Sequence, residues 1–294
     1  MTALLAGVET GGTRCNLAVG TGPGDLRATE SIPTTGPDET IGRIAAFLAE
    51  HAPVAAIGIG AFGPVDVDPG SETWGRVGNT PKPGWRGADL AGRLAGELGG
   101  VPVGFDTDVN AAALGERRWG AGEGLDDLVY ITVGTGIGGG AVAGGRAVHG
   151  LGHPEMGHVP VPRDPARDPF RGSCPYHGDC LEGLASGTAM RARWGVGGEE
   201  LPPGHEAWRL EAEYLAHGIA AIAYVLSPRR VILGGGVMHA PGLLELVRSE
   251  LERLLAGYVD APELVRPGLG DRAGVLGALA LGSAALGESV ISDQ

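Results

Sequence analysis

Lysine is almost absent from this 294-residue chain: Lys82 stands alone against 21 arginines, and 35 acidic residues bring the formal net charge to −13. There is no basic run and no interleaving of basic with aromatic residues. Such a surface repels phosphate backbones, which excludes nucleic acid as the main partner. Cysteine is limited to Cys15, Cys174 and Cys180, a sparse and odd set that excludes a disulfide framework. No run approaches the ~20 apolar residues of a membrane span. Met1 to Val8 lacks the basic stretch and long apolar segment of a secretion signal. The expectation is a cytoplasmic protein with no membrane partner. With 43% apolar and 19% charged residues, disorder is excluded as the main state, and the length suits one large or two medium domains.

Glycine, by contrast, is abundant: 55 residues without a collagen period imply many tight turns or close backbone approaches. A short apolar run, Leu4 to Val8, ends at Glu9-Thr-Gly-Gly-Thr13 and is followed by Cys15 to Val19, a strand, glycine turn and strand. Thr40 to Glu50 places Ile41, Ile44, Phe47 and Leu48 on one helix face. A strand at Ala55 to Gly60, an irregular loop to Trp85 and a helix over Ala88 to Leu98 come next. The strand Val101 to Phe105 then runs into Asp106-Thr-Asp-Val-Asn110, with a helix over Ala111 to Arg118. The second half repeats the opening pattern, with the strand Leu128 to Val133, the turn Gly134-Thr-Gly-Ile-Gly-Gly-Gly140 and the apolar segment 141–143. A loop rich in His, Pro, Cys and Asp covers 149–181. Helices are expected at 182–191 and 206–226, a strand from Arg230 into Gly234-Gly-Gly236, a helix from Pro241 to Leu255, and a small-residue helix from Gly274 to Leu286 with frayed residues after it.

Three glycine clusters follow strands: Gly11-Gly12-Thr13, Gly134 to Gly140, and Gly234-Gly235-Gly236. Without Cβ atoms, backbone N–H groups there can converge on phosphate oxygens, so together they suggest a nucleotide site. Gly134-x-Gly136-x-x-Gly139 matches the dinucleotide fingerprint. That fingerprint needs a helix next, and Gly140-Ala-Val-Ala-Gly-Gly-Arg146 is too short and glycine-rich to form one. A Walker loop fails because no cluster is followed by Lys-Ser or Lys-Thr.

His158, Cys174, His177 and Cys180 supply two imidazoles and two thiols at short spacing, the four ligands of a closed tetrahedral zinc site that fixes a loop and leaves no position open to activate water. His153 is the alternative fourth ligand. Asp106 and Asp108 stand where a strand ends and a helix begins, a place from which a carboxylate either reaches substrate or caps the helix. Glu155 and Glu182 flank the cysteine–histidine loop as solvated charges or as acceptors for sugar hydroxyls.

The segments Gly7-Val-Glu-Thr-Gly-Gly-Thr13, Asp108-Val-Asn110, Gly134-Thr-Gly-Ile-Gly-Gly139, Glu155-Met-Gly-His158, Cys180-Leu-Glu182 and Leu233-Gly-Gly-Gly-Val237 stand in the order seen in the ROK sugar kinases. The resemblance runs from Gly7 to about Gly282. Asn79-Thr-Pro-Lys-Pro-Gly-Trp85, Phe105 to Asn110 and Cys174-Pro-Tyr-His177 resemble the bacterial fructokinases of that family in particular. It implies an α/β, actin-like (ribonuclease H-like) fold of two domains with a cleft between them. The domains are expected at 1–112 and 113–294, the second carrying the loop 149–181 and a terminal helix at about 274–294 that packs back onto the first.

The same resemblance implies ATP, Mg2+ and Zn2+ as cofactors. ATP would be bound by Glu9, Gly11, Gly12, Thr13 and Arg14, by Gly134, Thr135 and Gly136, and near the adenosine by Gly234, Gly235 and Gly236. Asp108 matches the catalytic base. Thr107, Asp108, Glu155, His158 and Glu182 match the sugar-binding positions, His158 also being a zinc ligand beside Cys174, His177 and Cys180. Glu9 stands where the family commonly has Asp, and Arg14 where it commonly has Lys. Thr107 replaces the Asn typical of glucokinases and favours fructose.

The implied activity is ATP-dependent conversion of D-fructose to fructose 6-phosphate by a homodimer. The alternatives are a glucokinase or mannokinase of the same family, and a non-catalytic sugar-binding or regulatory protein. A sugar-responsive repressor of this family would need a DNA-binding domain before Gly7, and the net acidity argues against one.

Overall fold

The structure, a computed structural model, describes residues 3–287; residues 288–294, where frayed ends and the last part of the terminal helix were expected, lie outside the described residues. The chain forms two compact units. The first takes in residues up to Asp126, Gly140–Pro154 and Gly268 onward, and the second comprises Asp127–Gly139 and Glu155–Pro267.

In the first unit, β1 (Leu5–Thr10) and β2 (Arg14–Gly22) form the expected hairpin, with Thr10 opposite Cys15 across the glycine turn. β3 (Asp25–Pro33) extends it antiparallel, and β4 (Ala56–Ala61) and β5 (Val103–Thr107) add parallel strands on the other side, giving the order β3-β2-β1-β4-β5. α1 (Pro37–Glu50) and α2 (Leu90–Glu97) are amphipathic: Ile41, Ile44, Phe47, Leu48, Leu90 and Leu94 are buried with Val8, Leu17, Ile59 and Trp85 in one core. Asp89 caps α2 by accepting from Gly92 N–H.

α3 (Asp108–Trp119) follows β5 and packs against α8 (Ala273–Ala285). That contact keeps residues 108–126 with the first unit, later than the division at 112 drawn from sequence. α8 lies on the sheet because glycines leave room: a Cβ at Gly58 would meet the Ala278 carbonyl and stand 2.5 Å from Gly282 N. The carboxylate of Glu116, fully buried, accepts from Ala121, Gly268 and Leu269 N–H at 2.6–2.9 Å. It thereby ties the end of α3 to the point where the chain re-enters the unit.

The second sheet has the order β10-β9-β6-β7-β8, with β6 (Leu128–Val133), β7 (Ile137–Ala143), β8 (Arg146–Ala147), β9 (Arg230–Gly234) and β10 (Glu263–Val265). The chain passes from the second unit back into the first within β7. β6, β9 and β10 are parallel. After the turn at Gly134–Gly136 comes a strand and no helix, as the dinucleotide argument requires.

α4 (Leu181–Ala185) and α5 (Gly187–Trp194) replace the single helix expected over 182–191. The break is Ser186, which leaves the helical conformation to cap α5 through a hydrogen bond from Ala189 N–H. α6 (Glu206–Leu226) is as expected. α7 (Leu243–Leu255) starts two residues after Pro241, because Gly242 takes a left-handed conformation at φ 78°. Among the described residues no helix is long and apolar enough to cross a membrane.

Candidate functional site

The first unit carries the residues at the two turns that follow β1 and β5. In the β1–β2 turn Gly11 N–H donates to Arg14 O at 2.8 Å, Thr34 N–H to Thr13 O at 2.9 Å and the Thr34 hydroxyl to Gly11 O at 2.7 Å. Gly12, Thr13 and Arg14 are exposed at its tip. The Arg14 guanidinium turns along the sheet and donates to Ser31 Oγ at 3.1 Å. Glu9 accepts from Asn16 Nδ2 at 2.9 Å and lies against Gly274 at the start of α8. Burial pushes its carboxyl above the usual range, and the Asn16 and Val275 N–H bonds offset part of that rise.

At the β5–α3 junction the cap is Thr107, whose buried hydroxyl accepts from Asn110 N–H at 3.0 Å. Asp108 is the first residue of α3, half-buried, with Oδ1 accepting from Val109 N–H at 2.9 Å. A carboxylate there sits at the positive end of the helix dipole. Asp106 is turned inward, where it takes part in a network with Asn110 and His149.

The second unit carries the remaining set. Around the turn after β6, Gly187 N–H donates to Gly134 O at 2.7 Å and the Thr188 hydroxyl to Thr135 O at 2.7 Å, so the start of α5 braces the turn. Glu182 Oε2 accepts from Ile137 N–H at 3.0 Å, on the far side of Gly136. The same turn opens on a cavity of about 930 Å³ lined by Gly134, Thr135, Gly187, Thr188, Arg191, Trp208, Gly236, Val237 and His239. Of the third glycine cluster only Gly236 lines it. Gly234 is buried against Tyr130, and Gly235 makes the turn at φ 90°, a conformation that favours glycine. An indole, apolar side chains and a glycine turn in one lining suit a base and its phosphates. Thr188, Arg191 and Trp208 escaped sequence reasoning because they are brought in from distant helices; the run Ser186-Gly-Thr188 was the signal available.

His158, Cys174, His177 and Cys180 come together with all four donor atoms within 4.8 Å of one another. His158 Nδ1 is 3.5 Å from Cys180 Sγ, and Cys174 Sγ is 3.7 Å from the Nδ1 atoms of both histidines. A tetrahedral ion about 2.3 Å from sulfur and about 2.0–2.1 Å from nitrogen has S–N edges of roughly 3.6 Å, so the donor set fits one. Burial, with the Cys174 sulfur adding to it, pushes the Cys180 thiol up to about 11, and a bound cation would reverse that penalty. His153 is not in the cluster: its Nε2 accepts from Val65 N–H at 3.0 Å in the first unit. Glu155 is exposed, and its carbonyl accepts from His158 N–H at 3.0 Å in the 3₁₀ turn Met156–His158. Glu155 and Glu182 thus flank the cluster in sequence, the second held by the glycine turn.

A profile of the ROK family matches residues 5–285. The chain is 45% identical to a fructokinase of Zymomonas mobilis over 290 residues, covering 95% of this chain and 96% of the relative. A crystal structure of a ROK hexokinase from Thermus thermophilus is 31% identical, with TM-score 0.80 and coverage of 97% and 99%. A ROK glucokinase from Streptomyces griseus, crystallised with glucose and AMPPNP, is 30% identical, with TM-score 0.79 and coverage of 96% and 99%.

Proposed function

Because the chain belongs to the ROK family, we propose that it transfers the γ-phosphoryl group of ATP to the 6-hydroxyl of D-fructose, giving fructose 6-phosphate and ADP. The observation that carries the reading is the 45% identity to a fructokinase across nearly the whole chain, against 30% to the glucokinase. The actin-like, two-domain architecture of the ROK kinases supports it.

In this reading Asp108 is the general base. It takes the proton of the sugar hydroxyl while the new O–P bond forms and the β,γ-bridging P–O bond breaks, the bridging oxygen leaving on ADP. Thr107, Glu155, His158 and Glu182 hold sugar hydroxyls. The cavity at Trp208 and Gly236 takes the nucleoside, and Thr135 and Gly136 present amides to the phosphates, as do Gly12 and Thr13 in the first turn; Gly134 and Gly11 shape the two turns, their N–H groups donating to Gly136 O and Arg14 O. Mg2+ bound to the nucleotide would neutralise charge on the phosphates. Zn2+ suits His158, Cys174, His177 and Cys180; bound by four protein donors it would fix the loop that runs from Glu155 to the start of α4, where Glu182 lies. The same resemblance carries the expectation of a homodimer.

The test is ADP release from Mg-ATP with fructose, glucose, mannose and N-acetylated hexosamines offered separately. Fructose gives the highest turnover. Asp108→Asn lowers kcat by about 10²–10⁴-fold while sugar binding and metal content persist. No turnover on any sugar sinks the reading, and preference for glucose or mannose replaces the substrate.

A further inference from the structure

The kinase reading calls for positive charge at the β1–β2 turn, where phosphate charge would gather; Arg14 stands exposed at its tip with Nε held by Ser31 Oγ. Lys82 reaches the same turn from elsewhere in the sequence. Its ammonium donates to Gly12 O at 2.5 Å across 70 positions of sequence. The mount is firm, since the Lys82 carbonyl accepts from Trp85 N–H, Trp85 is fully buried, and its indole N–H donates to Thr35 O at 2.8 Å. An ammonium has three donors. Gly12 O takes one, and among the described residues no carboxylate pairs with it. A half-buried cation held on an exposed glycine turn with donors to spare is a site for an anion. The chain uses arginine for 21 of its 22 basic residues, and keeps its one compact, point-like ammonium here; a guanidinium is a planar fork and would present its donors differently.

Resting on the kinase reading, we propose that Lys82 is a catalytic residue whose ammonium, anchored on the Gly12 carbonyl, contacts the γ-phosphate of ATP and stabilises the charge on the transferring phosphoryl group. Lys82 gives up no proton in the step. The sugar proton goes to Asp108, and the negative charge that moves to the β,γ-bridging oxygen leaves on ADP.

Because Lys82 is the only lysine, an amine reagent has two targets, its side chain and the α-amino group, which peptide mapping separates. Wild-type protein is treated with trinitrobenzenesulfonate alone, with Mg-ADP, and with Mg2+ plus a non-hydrolysable ATP analogue. The analogue slows labelling of Lys82 about tenfold or more, ADP less than about twofold, and the α-amino group reacts at one rate throughout. Lys82→Met lowers kcat about 100-fold, the loss expected of one donor to developing charge, with the fructose KM and the metal content unchanged; Lys82→Arg regains part of the loss. Equal protection by ADP and the analogue, or none by either, overturns the inference, as does a Lys82→Met enzyme at full kcat. Should that variant misfold, the labelling decides alone. Wild-type turnover on fructose in the same preparation separates the two readings: an inactive wild type fails the kinase assignment, whereas an active wild type with unprotected Lys82 fails only this inference.

Discussion

His149 Nε2 stands 2.9 Å from Asp106 Oδ2, and the other oxygen of that buried carboxylate accepts from Thr107 N–H and Asn110 Nδ2. Asn110 in turn accepts from Ala141 N–H at 3.2 Å. The imidazole therefore completes a network that fixes the first turn of α3, where Asp108 sits. The hydrogen bond to Asp106 raises the His149 pKa, burial opposing it. A group raised in the folded state contributes stability that is fully present below its ordinary pKa and is lost as pH rises through the raised value. His149→Gln should thus lower Tm most at about pH 6, and the gap from wild type should narrow toward about pH 9. A gap that widened with pH in thermal melts would contradict the pairing.

Removal of the metal should act on the sugar more than on the nucleotide. Chelation, or Cys180→Ser, is expected to abolish stoichiometric zinc, lower Tm by several degrees and raise the fructose KM more than the ATP KM, since the donors hold the loop between Glu155 and Glu182. Metal uptake must also displace a proton from Cys180, whose thiol is pushed up to about 11. Metal content after dialysis at a series of pH values should therefore fall toward acid. Unaltered sugar kinetics in fully metal-free protein would remove the loop from the sugar site.

Sequence pattern made most of this architecture legible because its signals are local. The paired strand–glycine–strand units, the absence of a helix after Gly140 and the spacing of Cys174, His177 and Cys180 can each be read within a short window. β3 left no such signal: Asp25–Pro33 is an edge strand with a single buried residue, Ile32. The choice between His153 and His158 was likewise undecidable from spacing, as it turns on Val65, far off in sequence, giving its N–H to His153. The helix cap is Thr107, where sequence had offered Asp106 or Asp108 for either capping or reaching substrate. Trp208 and His149 were beyond local reading, one brought to the cavity by α6 and the other bonded to a carboxylate 43 positions away.

Two glycine-to-alanine changes should have opposite signs. At Gly58 a Cβ would collide with the Ala278 carbonyl and approach Gly282 N, backbone atoms of α8 that cannot yield without moving the helix. Gly58→Ala is expected to cost about 3 kcal/mol, the upper part of the range for overpacking. Gly42 is exposed within α1 and a Cβ there meets nothing, so Gly42→Ala should gain about 0.5–1 kcal/mol from helix propensity alone. Urea midpoints measure both. Equal effects would mean that α8 does not press on β4 as described.

Arg193 and Asp168 form an enclosed ion pair in the second unit, with side-chain exposures of 6% and 3%. The contact is bidentate, at 3.0 and 3.2 Å, and Asp168 also accepts from the Tyr214 hydroxyl at 2.7 Å and from Phe170 N–H. The guanidinium lies over the Phe170 ring, 4.6 Å from its centre. These bonds fasten the irregular segment before Cys174 and Cys180 to α5 and α6. Removing one partner strands the other charge without water, so Asp168→Ala should cost about 3–5 kcal/mol. Tyr214→Phe leaves the pair intact and removes one hydrogen bond to a charged group, a loss of about 1.5–3 kcal/mol. Burial, reinforced by Asp168, raises the Tyr214 pKa well above the ordinary phenol, so the hydroxyl keeps its proton as donor and the ordering of the two variants should hold from about pH 6 to about pH 9. Denaturant titrations at both limits check it. An Asp168→Ala protein no less stable than Tyr214→Phe would show that the pair is not what holds this segment.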